Sequence, residues 1–355
     1  MVGWSDPNRP PIDRPRTNAI VPCDHAAEPS SPSRAHRRTP PVGPSRVVSR
    51  PGRGSGAGDP PRVVVFGDVL DDIIVIASTP QARGTDTEAV IRHRAGGAAA
   101  NTAAWLGSLG TAVDFVGRVG VADRHRHAQL LANAGVVPRL GYDAHDPTGT
   151  VVITVDGSSP SMFTDRGASA GLDPDDVPDS LLSGAALLHV TGYSVVHART
   201  PVPLRRLLTR ARAAGVAVSV DPGSSGFIDR FGPEAFLDAV DGAELFFPSL
   251  DEARVLTGLD AGHDESALAQ ALTDRFRVVC LVRADGGAVV ARPGRPVVEV
   301  AGVTTRTADP VGVGDAFAAG FIDAWLTSRR AGVAARRGAR AAARASAVVG
   351  GRPPA

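Results

Sequence analysis

Short apolar runs, each closed by Gly, Pro or a carboxylate, alternate along this chain with longer stretches whose apolar residues recur every three or four positions. The first run, Arg62-Val-Val-Val-Phe-Gly67, has no polar break and reads as a strand buried on both faces. The same pattern predicts strands over 72–77, 112–119, 148–156, 185–190, 216–220, 245–247 and 278–282, with 287–291 as a hairpin partner. Helical spacing predicts helices over 98–109, 127–134, 203–214, 233–240, 251–256, 266–276, 316–328 and 331–349, several of them stopped by Gly. Strand–helix alternation implies a mostly parallel sheet covered on both faces, an α/β fold. Ligands of such sheets bind beyond the carboxyl ends of the strands, where Asp221, Ser249 and Asp315 are expected. Strands within about 73–94 and 148–164 interrupt the alternation and suit a small separate β layer, natural material for a lid.

Composition changes this picture at the N-terminus. Residues 1–59 are rich in Pro, Arg, Ser and Gly with scattered single apolar residues, the signature of a disordered arm. One folded domain is expected over 60–355. The chain has 355 residues, 43% of them hydrophobic, and a net charge of +1, so neither nucleic acid nor a membrane surface is an expected partner. No apolar run approaches a membrane span and no signal core is evident. The two cysteines, Cys23 and Cys280, form no disulfide or metal framework and fit a reducing cytoplasm. Every basic side chain is Arg or His. Without Lys, a Walker-type phosphate loop is excluded.

The candidate chemistry centres on Asp309-Pro-Val-Gly-Val-Gly-Asp315. Gly312 and Gly314 allow a sharp turn and a close backbone approach to ligand. Unpaired N–H groups at the start of the following helix, with its dipole, make an anion site. Asp315 stands beside them as a base for an attacking hydroxyl. By itself the segment reads equally well as a tight turn with an Asp cap.

The wider chain resembles the ribokinase, or PfkB, family of ATP-dependent carbohydrate and nucleoside kinases. Two motifs carry the resemblance over residues 62–355: Gly96-Gly97-Ala-Ala-Ala-Asn101-Thr-Ala, and Asp309 to Asp315 followed by Ala-Phe. Val65-Phe-Gly-Asp-Val-Leu-Asp-Asp72, Pro147-Thr-Gly-Thr150, Asp165-Arg-Gly-Ala168, His189-Val-Thr-Gly-Tyr193 and Asp251-Glu-Ala-Arg-Val-Leu-Thr-Gly258 support it. The resemblance implies a Rossmann-like three-layer domain with a small β-sheet lid, often used for homodimerisation. It implies phosphoryl transfer from ATP to a hydroxymethyl group, with Mg²⁺ and in many members K⁺. Asp315 would be the catalytic base, and the Gly312, Val313 and Gly314 amides the anion hole. Asp72, Gly97 and Asn101 would hold sugar hydroxyls. Ser249, Arg283 and Gly286 would border the nucleotide, Glu252 would organise Mg²⁺ through water, and Asp309 and Val311 would border a monovalent cation.

Several positions depart from the family pattern. Ser249 replaces a usual Asn, and Pro310 a common Thr. Arg283 stands where Gly is usual, and either clamps phosphate or blocks the nucleotide. Arg166, on a lid strand at a substrate-contacting position, suggests an acidic or phosphorylated sugar, or is a solvated strand-end charge. His125 and His127 are expected to be exposed turn residues. These departures motivate an alternative: a catalytically impaired relative that binds a ligand as a sensor or regulatory subunit. A dinucleotide-binding dehydrogenase ranks low, because the first strand–turn lacks Gly-x-Gly-x-x-Gly.

Overall fold

The computed structural model describes residues 61–81, 84–155, 161–196, 200–259 and 262–354; the arm expected over 1–59, with Cys23, lies outside the described residues. Among the described residues thirteen strands are formed: β1 Arg62–Phe66, β2 Leu70–Ala77, β3 Ala89–Gly96, β4 Ala112–Gly120, β5 Val136–Asp143, β6 Thr148–Val155, β7 Ser161–Gly167, β8 Leu187–Thr191, β9 Ala217–Asp221, β10 Leu245–Phe246, β11 Val278–Val282, β12 Ala288–Ala291 and β13 Val298–Val300. Nine of them make one sheet in the order β13-β12-β11-β10-β9-β8-β1-β4-β5. From β11 to β5 every neighbouring pair is parallel, and β12 and β13 add an antiparallel margin. Strand order reverses at β1, between β8 and β4, the kind of switch point at which such sheets open a crevice.

Val63, Val64, Val65 and Phe66 are all fully buried. Val63 and Val65 join the core beneath the helices Val313–Ser328 and Ala331–Ser346, whereas Val64 and Phe66 join the core beneath Val202–Ala213 and Leu250–Thr257. The sheet is thus the middle of three layers. The second sheet, ordered β3-β2-β6-β7, pairs β2 with β6 in parallel and its other neighbours antiparallel. Its inner face presents Leu70, Ile74, Val151 and Ile153, which pack on Val311 and Val349. Only Gly67, Asp68 and Val69 separate β1 in the large sheet from β2 in the small one. No helix among the described residues is long and apolar enough to cross a membrane.

The sequence pattern misses some elements. β5 contains Pro138 and lies at the sheet margin, where a missing N–H breaks no ladder bond. β13 is short and also marginal. The helix Ser225–Phe231 is hidden by its Gly-Ser start. The helix expected at 127 begins at Arg124, and this overturns the expectation for His127. His127 and Leu131 form the buried stripe of that helix, so the imidazole is fully buried, its Nε2 3.4 Å from Asp71 Oδ1 on β2. Arg126 donates to both carboxylate oxygens of Asp71 and ties the same helix to the lid.

Candidate active site

The helix after the glycine-rich loop starts at Val313 rather than 316, with Gly312 as its cap residue at φ 77°, ψ 5°. That is left-handed backbone, which glycine adopts without Cβ strain. A Cβ on Gly312 would lie 2.5 Å from the Gly351 Cα, so the loop also needs glycine for space. No side chain caps this helix, leaving its first-turn N–H groups as orphan donors at the positive end of the dipole. Gly312, Val313, Gly314 and Asp315 all line one cavity of about 590 Å³ between the large sheet and the lid.

Asp72, Gly97, Asn101, Arg166, Ser249, Glu252, Arg283 and Val311 line the same cavity, whereas Gly286 and Asp309 do not. Asn101 sits inside the helix Ala98–Ser108, whose cap residue is Gly97; its Nδ2 donates to Asp315 Oδ2 at 2.9 Å. One helix thus carries the amide that holds the carboxylate on another. Asp315 is half-buried, and its carboxyl is pushed up to about 8 by burial and by the charges of Asp68 and Asp72, against the pull of the Asn101 amide. Asp72 is 4% exposed. Its carboxyl is pushed up to about 7 by burial, and Asp68, Asp71 and Asp309 act the same way, while Arg352 opposes them. Burial and mutual repulsion raise Asp221, which feels Glu252 and Asp315, and burial raises Glu252 as well. The cavity therefore carries more negative charge than it can ionise, an arrangement suited to a ligand that brings cations.

Ser249 and Glu252 form a capping box at the start of Leu250–Thr257: Ser249 N–H donates to Glu252 Oε2 at 2.8 Å and Glu252 N–H to Ser249 Oγ at 3.3 Å. Glu252 is buried and lines the cavity. Among the described residues no group of three or more His, Cys, Asp or Glu forms a metal site. A magnesium ion held mainly by phosphate oxygens and water, with Glu252 behind the water, fits this donor set. Arg283 is held by Glu265 and by Glu299 at 3.0 Å, so its charge is spent on protein carboxylates. Asp309 is buried and accepts N–H groups from Val311 and Gly350, each at 2.9 Å, one on each oxygen.

Residues missed at the sequence level complete the site. Asp68, in the switch-point crevice, accepts from Ala99 N–H at 3.2 Å, Thr191 Oγ1 at 3.3 Å and Arg166 Nη1 at 3.1 Å. Its place directly after the first strand was a readable signal. The tail that follows Ala331–Ser346 gave none. There, Trp105 Nε1 donates to Gly351 O and Arg352 Nη2 to Gly96 O, both at 2.9 Å, and the half-buried Arg352 side chain sets its charge near Asp72.

Residues 60–354 match the model of the pfkB family carbohydrate kinase. The chain is 28% identical over 270 residues to an ATP-dependent ribose-1-phosphate kinase of Halopiger xanaduensis, covering 75% of this chain and 85% of that protein. It is 26% identical over 298 residues to a 2-dehydro-3-deoxygalactonokinase of Haloferax volcanii, covering 79% and 89%. In fold it is similar to an adenosine kinase from Sinorhizobium meliloti, with TM-score 0.74, 22% identity and coverage of 84% of this chain and 97% of that one. A putative ribokinase II from E. coli, in complex with ATP and Mg²⁺, aligns with TM-score 0.71 and 20% identity over 82% of this chain and 94% of that one.

Proposed function

The chain belongs to the pfkB family of carbohydrate kinases, which are ATP-dependent phosphotransferases, and from that premise we propose that it phosphorylates a hydroxymethyl group of a sugar or nucleoside with Asp315 as the base. The observation that carries this reading is the Asn101–Asp315 hydrogen bond of 2.9 Å at an uncapped helix start facing the shared cavity. Asp315 takes the hydroxyl proton as the oxygen attacks the γ-phosphorus, and the bond from that phosphorus to the bridging oxygen of ADP breaks. Amides of Gly312, Val313 and Gly314 face the charge on the transferred oxygens. Asp72, Gly97 and Asn101 position the acceptor. When bound, Mg²⁺ neutralises phosphate charge; Glu252 is the residue that would orient its water. Each Asp309 oxygen accepts one backbone N–H group and keeps a further lone pair, so a monovalent cation bordered by Asp309 and Val311 stays part of this proposal.

The test is turnover of MgATP with neutral sugars, nucleosides, ribose 1-phosphate and 2-dehydro-3-deoxygalactonate, the last two taken from the names of the relatives, alongside calorimetric ATP binding. Phosphorylated product is expected. ATP binding with no turnover of any acceptor would move the protein to the alternative reading of a ligand-binding subunit, which the commitment of Arg283 to Glu265 and Glu299 favours.

Arg352 supports the same assignment from behind the site. Its charge favours ionised Asp72, and a carboxylate grips sugar hydroxyls better than a carboxylic acid does. Arg352→Met is expected to raise the acceptor KM about tenfold at pH 7, with the pH dependence of KM displaced upward. A pH-independent loss of kcat alone would count against this role.

The lid supports a homodimer. Its outward face presents Ile73, Val75, Ile91, Val152 and Phe163 in register, with Ile91 51% and Phe163 67% exposed, a patch of the kind that marks an interface. Sedimentation is expected to give a dimer for the native chain and a monomer for Phe163→Glu; a native monomer would remove the assignment.

A further inference from the structure

Arg166 lies on β7 with its side chain 12% exposed. Its guanidinium is fixed on two sides. Nη1 donates to Asp68 Oδ2 at 3.1 Å, and Cζ sits 4.4 Å from the centre of the Tyr193 ring. Tyr193 is itself held by a hydrogen bond of 2.9 Å from its hydroxyl to Gly223 O. The remaining donors, Nε and Nη2, are buried and have no partner among the described residues. These two nitrogens share one edge of the guanidinium and point their N–H bonds the same way, the fork that matches two oxygens of a carboxylate or phosphate. Buried charged donors are rarely left unpaired, and the residue lines the cavity where the acceptor binds.

The surroundings leave little choice of place for an anion. Asp72, Asp221, Glu252 and Asp315 occupy the other walls, and Arg283, the second arginine lining the cavity, is neutralised by Glu265 and Glu299. A single hydroxyl oxygen satisfies only one prong of the fork. Resting on the kinase reading above, we infer that the acceptor is an anionic sugar, bearing a carboxylate or phosphate that is held by the guanidinium of Arg166 where it lines the cavity, the unpaired Nε and Nη2 turning to meet it. That contact fixes the orientation of the sugar, because its charged group is held at Arg166 and its free hydroxymethyl group is left to face Asp72 and Asp315.

The test compares ribose 1-phosphate with ribose, for the phosphate, and 2-dehydro-3-deoxygalactonate with fructose, for the carboxylate. Each compound is measured by kcat/KM and by thermal stabilisation of the native protein without nucleotide. At least one anionic compound is expected to exceed its neutral counterpart by roughly a hundredfold in kcat/KM. In Arg166→Met that preference is expected to fall below about fivefold, mainly through KM, and Arg166→Lys, which keeps the charge without the fork, is expected to recover only part of it. Neutral sugars equal to or better than both anionic ones in the native protein would overturn the inference while leaving the kinase reading intact. So would an equal loss on anionic and neutral compounds in Arg166→Met. If nothing is turned over but an anionic sugar stabilises the native protein and not the Met variant, anion binding at Arg166 stands and the kinase reading falls. No turnover together with no stabilisation overturns both.

Discussion

Replacing Asp315 with Ala is expected to lower kcat by at least about a hundredfold while changing ATP affinity by less than about threefold. Asn101 Nδ2 donates to this carboxylate, and the amides proposed to face phosphate belong to the backbone, which the substitution leaves in place. The pH dependence follows from the same residue. A carboxyl pushed up to about 8 is mostly protonated at neutral pH in the free enzyme, so kcat/KM is expected to rise between about pH 6.5 and 8.5. Stability runs the opposite way. Between about pH 4 and 8 the folded protein keeps a proton on Asp315 that the unfolded chain has lost, so this group lowers stability as pH rises through that window. Asp315→Asn carries no such charge. It is expected to match the native protein near pH 4 and to exceed it at pH 8 by on the order of 2 kcal/mol, or roughly 5 °C in Tm. Near-normal turnover of the Ala variant would refute the base. Equal stability of the Asn variant and the native protein at pH 8 would refute the raised carboxyl.

Gly312→Ala is expected to cost about 2–3 kcal/mol of stability and about a hundredfold or more in kcat. The left-handed backbone at φ 77° penalises any Cβ, and the new methyl would also press on Gly351 at 2.5 Å. Relief requires the loop to move, and the loop carries the amides proposed to face the transferred phosphoryl group. Gly314 provides the contrast, since a Cβ there meets nothing within 4 Å and its backbone is helical. Gly314→Ala is expected to leave Tm unchanged or raise it slightly, whatever the methyl does to ligand access. Thermal melts of both variants with single-turnover rates for Gly312→Ala decide the point; a Gly312→Ala protein of normal stability and rate would remove the claim that the loop is rigidly determined.

Much of this arrangement was legible because it is local in sequence. The uninterrupted apolar runs around Val63–Phe66 and Val278–Val282 could only be central strands. The Gly-rich segment ending at Asp315 declared both a turn and an acid. Asn101 and Asp315 were readable as two motifs, yet nothing local indicated that their side chains meet. What stayed hidden depends on partners far along the chain. Ser249, read as bordering the nucleotide, and Glu252, read as organising magnesium, also close a reciprocal cap, which spends part of their hydrogen-bonding capacity. Arg283 looked free to reach a phosphate until Glu265 and Glu299 came into range. His127 follows Arg124, His125 and Arg126 and still turned inward, because helical spacing pairs it with Leu131. Arg352 meets Gly96 across 256 positions of chain, a separation no motif spans.

The three-residue passage from β1 to β2 joins the catalytic floor to the lid, and Asp68, which grasps Arg166, is one of the three. On the reading proposed above, a lid that tilted outward would drag Asp68 and Asp72 with it, so that letting go of the sugar and opening the mouth of the pocket would be a single mechanical event.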